Sequence, residues 1–321
     1  MTIEILMVIG FCLAAYSIVG NDVPQTLGTF ISSNAHRPWW VLWIYISSIL
    51  VVVLLYGWYA SGVGDASYGR LETIPFPEGG ITWLYIVPPI LLILLTKYGI
   101  PVSTTFLVLT IFSPSSLTSM LTKSMMGYAV AFIVGIIVYR FVVKQISIHF
   151  SKTRDQTPSN IWIGLQWVST AFLWSQWLIQ DLANIFVYVP RQVPFEFLIF
   201  AILVFVVLLG VILYQRGGAI QKIIDTKTGL ADIRSATIID FIYALILLVF
   251  KEWSNIPMST TWVFLGLLAG REFAMSMHLR EVNKYRTSRN VSKDAMKLML
   301  GLALSVFLAV TLPWFYNFVT S

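Results

Sequence analysis

Gly99-Ile100-Pro101-Val102-Ser103-Thr104-Thr105 recurs later in the chain as Asn255-Ile256-Pro257-Met258-Ser259-Thr260-Thr261. Each copy is a hydroxyl-rich turn set in apolar sequence, and each follows an acidic motif at nearly the same distance. Gly20-Asn21-Asp22 precedes the first, and Gln180-Asp181-Leu182-Ala183-Asn184 precedes the second. Asp22 stands 81 positions ahead of Ser103 and Asp181 stands 78 ahead of Ser259, so the aspartates are 159 apart and the serines 156. Spacing kept over such lengths reads as one module duplicated, with residues 1–150 the first copy and 151–321 the second.

Composition sets the environment of that module. Of 321 residues, 57% are hydrophobic and 11% charged, with a mean hydropathy of +0.79. Soluble domains carry about 25% charged residues. Apolar runs able to cross a roughly 30 Å hydrocarbon core recur along the whole chain, which makes it an all-α polytopic protein of the lipid bilayer. The net charge of +6 does not argue for nucleic acid, because the basic residues sit in loops between apolar segments. The single cysteine, Cys12, excludes a disulfide framework or a thiolate cluster. Glu4 stands where a signal peptide would be basic, so the first segment reads as a retained membrane helix.

Ten hydrophobic segments are predicted, at 3–19, 39–59, 82–97, 100–112, 124–143, 161–180, 195–215, 236–252, 256–270 and 295–318. Aromatic residues crowd their ends, as at Trp39, Trp40 and Trp43, and belong to the headgroup layer. The connections 144–160, 216–235 and 271–294 hold three, four and six Lys/Arg, whereas the polar loop 60–80 has Arg70 alone and 190–195 has Arg191 alone. Basic loops belong in the cytoplasm of a bacterial-type inner membrane, which predicts both termini outside. Five segments per copy then insert the second copy upside down relative to the first. Inverted repeats characterise secondary transporters, with the site near the midplane between the halves. The segments flanking each phrase are short and each phrase holds a proline, so broken or re-entrant helices are predicted there.

Broken helices at membrane depth present free N–H groups and the positive end of a half-helix. Ser103, Thr104, Thr105, Ser259, Thr260 and Thr261 add hydroxyls, the donor set that an oxyanion needs. The competing reading is that these hydroxyls only bond back to helix carbonyls. Asp22 and Asp181 are costly in a bilayer and therefore mark function. Beside an anion they call for a cation, for which Asn21, Gln25, Gln180 and Asn184 supply amide oxygens; Na+ would bind at Asp22 and Asp181, or a proton could neutralise one of them. A carboxylate can also accept a hydrogen bond from protonated phosphate, whereas sulfate has no proton to offer at neutral pH. Lys97, Asp240, Lys251 and Glu252 also lie in or beside apolar runs, with no role readable from their positions. No nucleotide loop, His-Glu-x-x-His motif or metal-ligand spacing is present, and no cofactor is expected.

These phrases resemble the paired signatures of the inorganic phosphate transporter (PiT) family, which also includes sulfate permeases. Members of that family usually read Gly-Ala-Asn-Asp-Val-Ala-Asn and Pro-Val-Ser-Thr-Thr in each half, and the resemblance spans essentially the whole chain. It implies that Asp22, Asp181 and the Ser-Thr-Thr hydroxyls bind an inorganic oxyanion and a coupling cation in an alternating-access symporter. The chain departs from the pattern at Pro24-Gln25, at Gln180 and at Met258, as a divergent member would. The expected function is sodium-driven phosphate import, with a sulfate or other oxyanion permease, proton-coupled or not, as the alternative. An intramembrane phosphotransferase would need a nucleophile or base with an orienting partner, and none is apparent, so no enzyme is expected. A gated anion channel would show no concentrative uptake. The sequence leaves room for a homodimer without naming its surface.

Overall fold

A computed structural model of the chain describes residues 4–60, 64–98, 100, 102–143, 159–222, 233–278, 296, 299–308, 310–312 and 314. Among these the regular structure is helical, and five stretches are long and apolar enough to cross a membrane: Ile5–Ser33, Trp39–Ala60, Pro114–Phe141, Phe195–Tyr214 and Ile233–Trp253. Large apolar side chains such as Ile44, Val52, Leu203, Val207 and Val249 are more than half exposed. That surface suits lipid rather than water, and the chain is an all-α integral membrane protein.

Helix α1 (Ile5–Ser33) corrects the first predicted segment. It does not stop at residue 19 but runs for 29 residues, about 43 Å at 1.5 Å per residue. Asn21, Asp22 and Gln25 therefore lie within a helix and not in a connection. The polar residues that seemed to end the segment are all buried, turned toward protein. Pro24 lies inside the helix, and its missing N–H leaves the Gly20 carbonyl without its usual helical partner next to Asn21 and Asp22.

Helices α2 (Trp39–Ala60), α3 (Val87–Lys97) and α4 (Leu117–Val138) complete the described helices of the first half, with α4 starting seven residues earlier than the predicted 124. Between α3 and α4 lies a short half-helix that opens at Thr104, passes through a π-helical turn at Thr105–Leu109 and ends at Thr110–Phe112. The second half holds α5 (Asn160–Asp181), α6 (Phe195–Tyr214), α7 (Ile233–Trp253) and α8 (Thr260–His278). Here the predicted short pair at 236–252 and 256–270 is corrected to helices of 21 and 19 residues. They are interrupted at 254–259, and α8 carries on well past residue 271, where a loop was expected. The connections 144–158, 223–232 and 279–295, together with 61–63, Gly99, Pro101 and the parts of 295–318 not named above, lie outside the described residues.

Helix α5 is 22 residues long but too polar to read as a simple span. Gln166, Ser169, Thr170, Gln176, Gln180 and Asp181 are all buried, so its polarity faces inward. The helices pack most closely as α4 with α8, α5 with α7, α1 with α3 and α2 with α6. At the α4–α8 crossing, Gly266 lies over the Tyr128 carbonyl and Gly270 over the Phe132 carbonyl, while Gly135 of α4 faces the Leu267 carbonyl. Gly266-Leu267-Leu268-Ala269-Gly270 is a small-xxx-small stripe, which lets two backbones approach where lipid offers no hydrophobic drive to hold helices together.

Candidate functional site

Both phrases end irregular backbone and begin a helix, and both serines cap that beginning. Phe106 N–H donates to Ser103 Oγ at 3.3 Å, and Trp262 N–H donates to Ser259 Oγ at 3.3 Å. A side-chain oxygen that accepts from the third residue of a helix is the standard N-cap. This capping leaves each serine proton free to donate elsewhere. The rings that follow, Phe106 and Trp262, meet edge to face with centroids 5.4 Å apart.

The threonines then reach across. Thr104 Oγ1 donates to Asp22 Oδ2 at 2.8 Å, and Thr260 Oγ1 donates to Asp181 Oδ2 at 2.6 Å. Thr105 Oγ1 donates to the Met258 carbonyl at 3.1 Å, while Thr261 Oγ1 donates to the Val102 carbonyl at 3.4 Å. Each phrase thus bonds its own acidic motif through its first threonine and the other phrase through its second. All six hydroxyl residues are buried, none more than 4% exposed, and neither aspartate exceeds 1%. The two carboxylates lie close enough to feel each other's charge.

The amides complete this layer. Asn21 Nδ2 donates to Asp22 Oδ1 at 2.5 Å and to the Val102 carbonyl at 2.9 Å. Gln25 Nε2 donates to the Asn21 carbonyl at 2.9 Å. Asn184 Nδ2 donates to Asp181 Oδ1 at 2.8 Å and to the Thr104 and Thr105 hydroxyls at 3.1 and 3.3 Å. In all three residues the nitrogen faces acceptors, which fixes the orientation of the amide. The opposite atoms, Asn21 Oδ1, Gln25 Oε1 and Asn184 Oδ1, are buried with no hydrogen-bond donor among the described residues. Such oxygens are costly unless something else satisfies them, and a hard cation prefers oxygen ligands of this kind.

Gln180 behaves differently. Its Nε2 donates to the Leu247 carbonyl at 2.9 Å, and its Oε1 accepts from the guanidinium of Arg70. Arg70 belongs to the α2–α3 connection, which reads in sequence as a polar loop, yet it is fully buried. Its guanidinium also reaches the Ser254 and Ile256 carbonyls at 3.4 Å each. Lys123 of α4 donates to the same two carbonyls at 2.6 and 2.8 Å. These carbonyls stand at the C-terminal end of α7, where the helix dipole favours positive charge. Burial lowers the Arg70 pKa to about 10 while Asp181 opposes that shift, so the guanidinium stays cationic at neutral pH. Neither Arg70 nor Lys123 was anticipated from sequence, because a lone cation in a polar loop or at a segment end looks like a topology signal.

The remaining intramembrane charges stand apart from the phrases. Asp240 of α7 accepts from Thr29 Oγ1 of α1 at 2.5 Å and from Thr170 Oγ1 of α5 at 2.8 Å, tying three helices together. Lys251 and Glu252 pair with each other at 2.8 Å near the surface. Lys97 lines a cavity of about 260 Å³ with Tyr16, Ser17, Gly20 and Thr96, beside the Asn21-Asp22 motif.

No family model matches the chain, and no curated protein matches it. Among solved structures, "The sodium-dependent phosphate transporter" matches with a TM-score of 0.60 at 15% identity, covering 98% of this chain and 98% of that one. The chain shares the fold of that protein nearly end to end.

Proposed function

We propose that this chain is a secondary transporter that imports inorganic phosphate by coupling it to sodium. The observation that carries the reading is the pair of buried carboxylates, each bonded to a threonine at the start of a helix, together with the Asn21, Gln25 and Asn184 amide oxygens, which lack donors among the described residues. Sodium at Asp22, Asn21 and Gln25, with Asn184 and Asp181 alongside, would satisfy those oxygens and offset the carboxylates. The fold shared with a sodium-dependent phosphate transporter supports the same assignment.

The anion would sit against the two helix beginnings. All four threonine hydroxyl protons are engaged with protein acceptors, and the serine oxygens take the Phe106 and Trp262 N–H groups, so the donors left to it are the Ser103 and Ser259 hydroxyls and the N–H groups of Thr104, Thr105, Thr260 and Thr261. A protonated phosphate oxygen can in turn donate to a carboxylate, which sulfate cannot do. Residues 1–150 and 151–321 would act as two halves, inverted relative to each other in an inner membrane, that rock about this site with both termini outside. The bias of basic residues toward three connections supports that orientation.

The test is uptake of labelled phosphate and labelled sulfate into proteoliposomes, with and without an inward sodium gradient. Phosphate accumulation that needs sodium is expected, with sulfate competing weakly. Sulfate accumulation, or phosphate uptake driven by a proton gradient alone, would overturn the substrate or the ion respectively.

Ser103→Ala and Ser259→Ala should each weaken apparent phosphate affinity. A donor lost from a dry site costs roughly 1–3 kcal/mol, about fivefold to 150-fold in affinity. Competition binding on purified variants checks this. Unchanged affinity in both would leave the serines as caps and nothing more.

A further inference from the structure

The two acidic motifs correspond residue for residue at a spacing of 159: Asn21 with Gln180, Asp22 with Asp181 and Gln25 with Asn184. Their surroundings are not alike. Among the described residues Asn21 Oδ1 and Gln25 Oε1 have no donor, as is also true of Asn184 Oδ1 in the second motif, and no basic side chain hydrogen-bonds Asp22. In the second motif, Gln180 Oε1 is already held by the Arg70 guanidinium, which also acts on Asp181. A positive charge from the protein itself therefore stands where a symmetric pair of sites would take a mobile cation.

We infer that Arg70 is a tethered replacement for one coupling cation, so that this chain couples its anion to one sodium ion, bound at the Asp22 side, and not to two. The inference rests on the sodium-coupled reading above and deepens it. Three features support it. Gln180 has one methylene more than Asn21, and its oxygen is the one that meets the guanidinium. Arg70 is fully buried, on a connection that folds in from outside the helices, and its other contacts are the Ser254 and Ile256 carbonyls. Those carbonyls also accept from Lys123 Nζ, so they are already filled. A further mobile cation there would lack those ligands and would face repulsion from the guanidinium in a medium that screens it poorly.

Because a guanidinium cannot leave with the substrate, it would hold Asp181 compensated in every conformation. Only Asp22 would alternate between bound and empty. The charge moved per cycle would then be smaller by one than in a carrier with two mobile cations.

The experiment is to count sodium bound per protomer by calorimetric titration of the purified full-length chain in saturating phosphate, alongside the sodium dependence of uptake. One sodium, with a non-cooperative dependence, is the expected wild-type result. Two would overturn the inference while leaving sodium coupling intact, and none would overturn sodium coupling itself and the inference with it. Arg70→Met is expected to raise the count to two and make uptake steeply dependent on sodium, and Arg70→Lys to restore one. Should Arg70→Met fail to fold, the wild-type count still decides. A folded Arg70→Met protein that still binds one sodium would leave Arg70 a structural tether and remove it from coupling.

Discussion

Replacing Asp22 by asparagine is expected to abolish sodium-coupled uptake while leaving the protein folded. The substitution keeps the shape of the side chain and removes its charge. In the native protein Asp22 accepts from Asn21 Nδ2 and Thr104 Oγ1, and the amide oxygens of Asn21 and Gln25 remain without donors. A cation in that group depends on the carboxylate for charge, because the amides offer only dipoles. Loss of a charged partner in a buried site costs on the order of 3 kcal/mol, or about 100-fold in sodium affinity. Thr104 can rotate to accept from the new amide, so the α1 contact with the half-helix should survive. Thermal unfolding of the variant should lose its dependence on added sodium, since an ion that binds only the folded state stabilises it by mass action. Uptake at the wild-type rate would remove Asp22 from the site.

The second large effect concerns the scaffold. A Cβ added at Gly270 would lie 2.0 Å from the Phe132 carbonyl oxygen, with further backbone atoms at 2.8 and 3.0 Å. No side chain can swing aside, so α4 and α8 would have to separate. Overpacking of this kind costs roughly 1–3 kcal/mol when neighbouring side chains can give, and more here because the obstacle is backbone. Gly270→Ala should lower the unfolding temperature by several degrees, and Gly270→Leu should yield no monodisperse protein. Gly164→Ala is the control, because nothing lies within 4 Å of its added methyl. It should be neutral or slightly stabilising, by about 0.5–1 kcal/mol for a helical site. An unchanged unfolding temperature in Gly270→Ala would mean that α4 and α8 do not cross as closely as described. The site would feel any separation, because α4 carries Lys123 and Ser124 while α8 begins at Thr260. Ser124 Oγ accepts from Ser259 N–H at 2.9 Å, so a shift in α4 would move the second phrase directly.

The repeated phrase and its two aspartates were legible because a recurring motif shows in spacing without any knowledge of packing. Hydropathy was less informative where a helix faces protein. Asn21, Asp22 and Gln25 interrupt the apolar pattern of α1, and Pro24 looks like a stop, yet the helix continues to Ser33 with all of them buried. Likewise Arg271 and Glu272 look like the start of a loop, but α8 extends to His278. The Gly266–Gly270 stripe carried a packing signal that lay in plain view. Arg70 carried none, because nothing in an isolated basic residue of a polar loop says that the loop folds inward. Gln180 was legible as an amide beside Asp181, but which of its atoms would remain free depended on Arg70. The four threonines and two serines also divide in a way that residue type does not reveal. The serines cap the helices, the first threonines hold the carboxylates, and the second threonines join the phrases.

Coupling itself is tested most directly by running it in reverse of the usual assay. Proteoliposomes would hold equal sodium on both sides, with phosphate supplied only outside. If sodium and phosphate move together through a shared site, the phosphate gradient must drag labelled sodium inward above its equilibrium level, and Asp22→Asn must prevent this. Phosphate entry with sodium left at equilibrium would contradict the account and point to a channel or a differently coupled carrier.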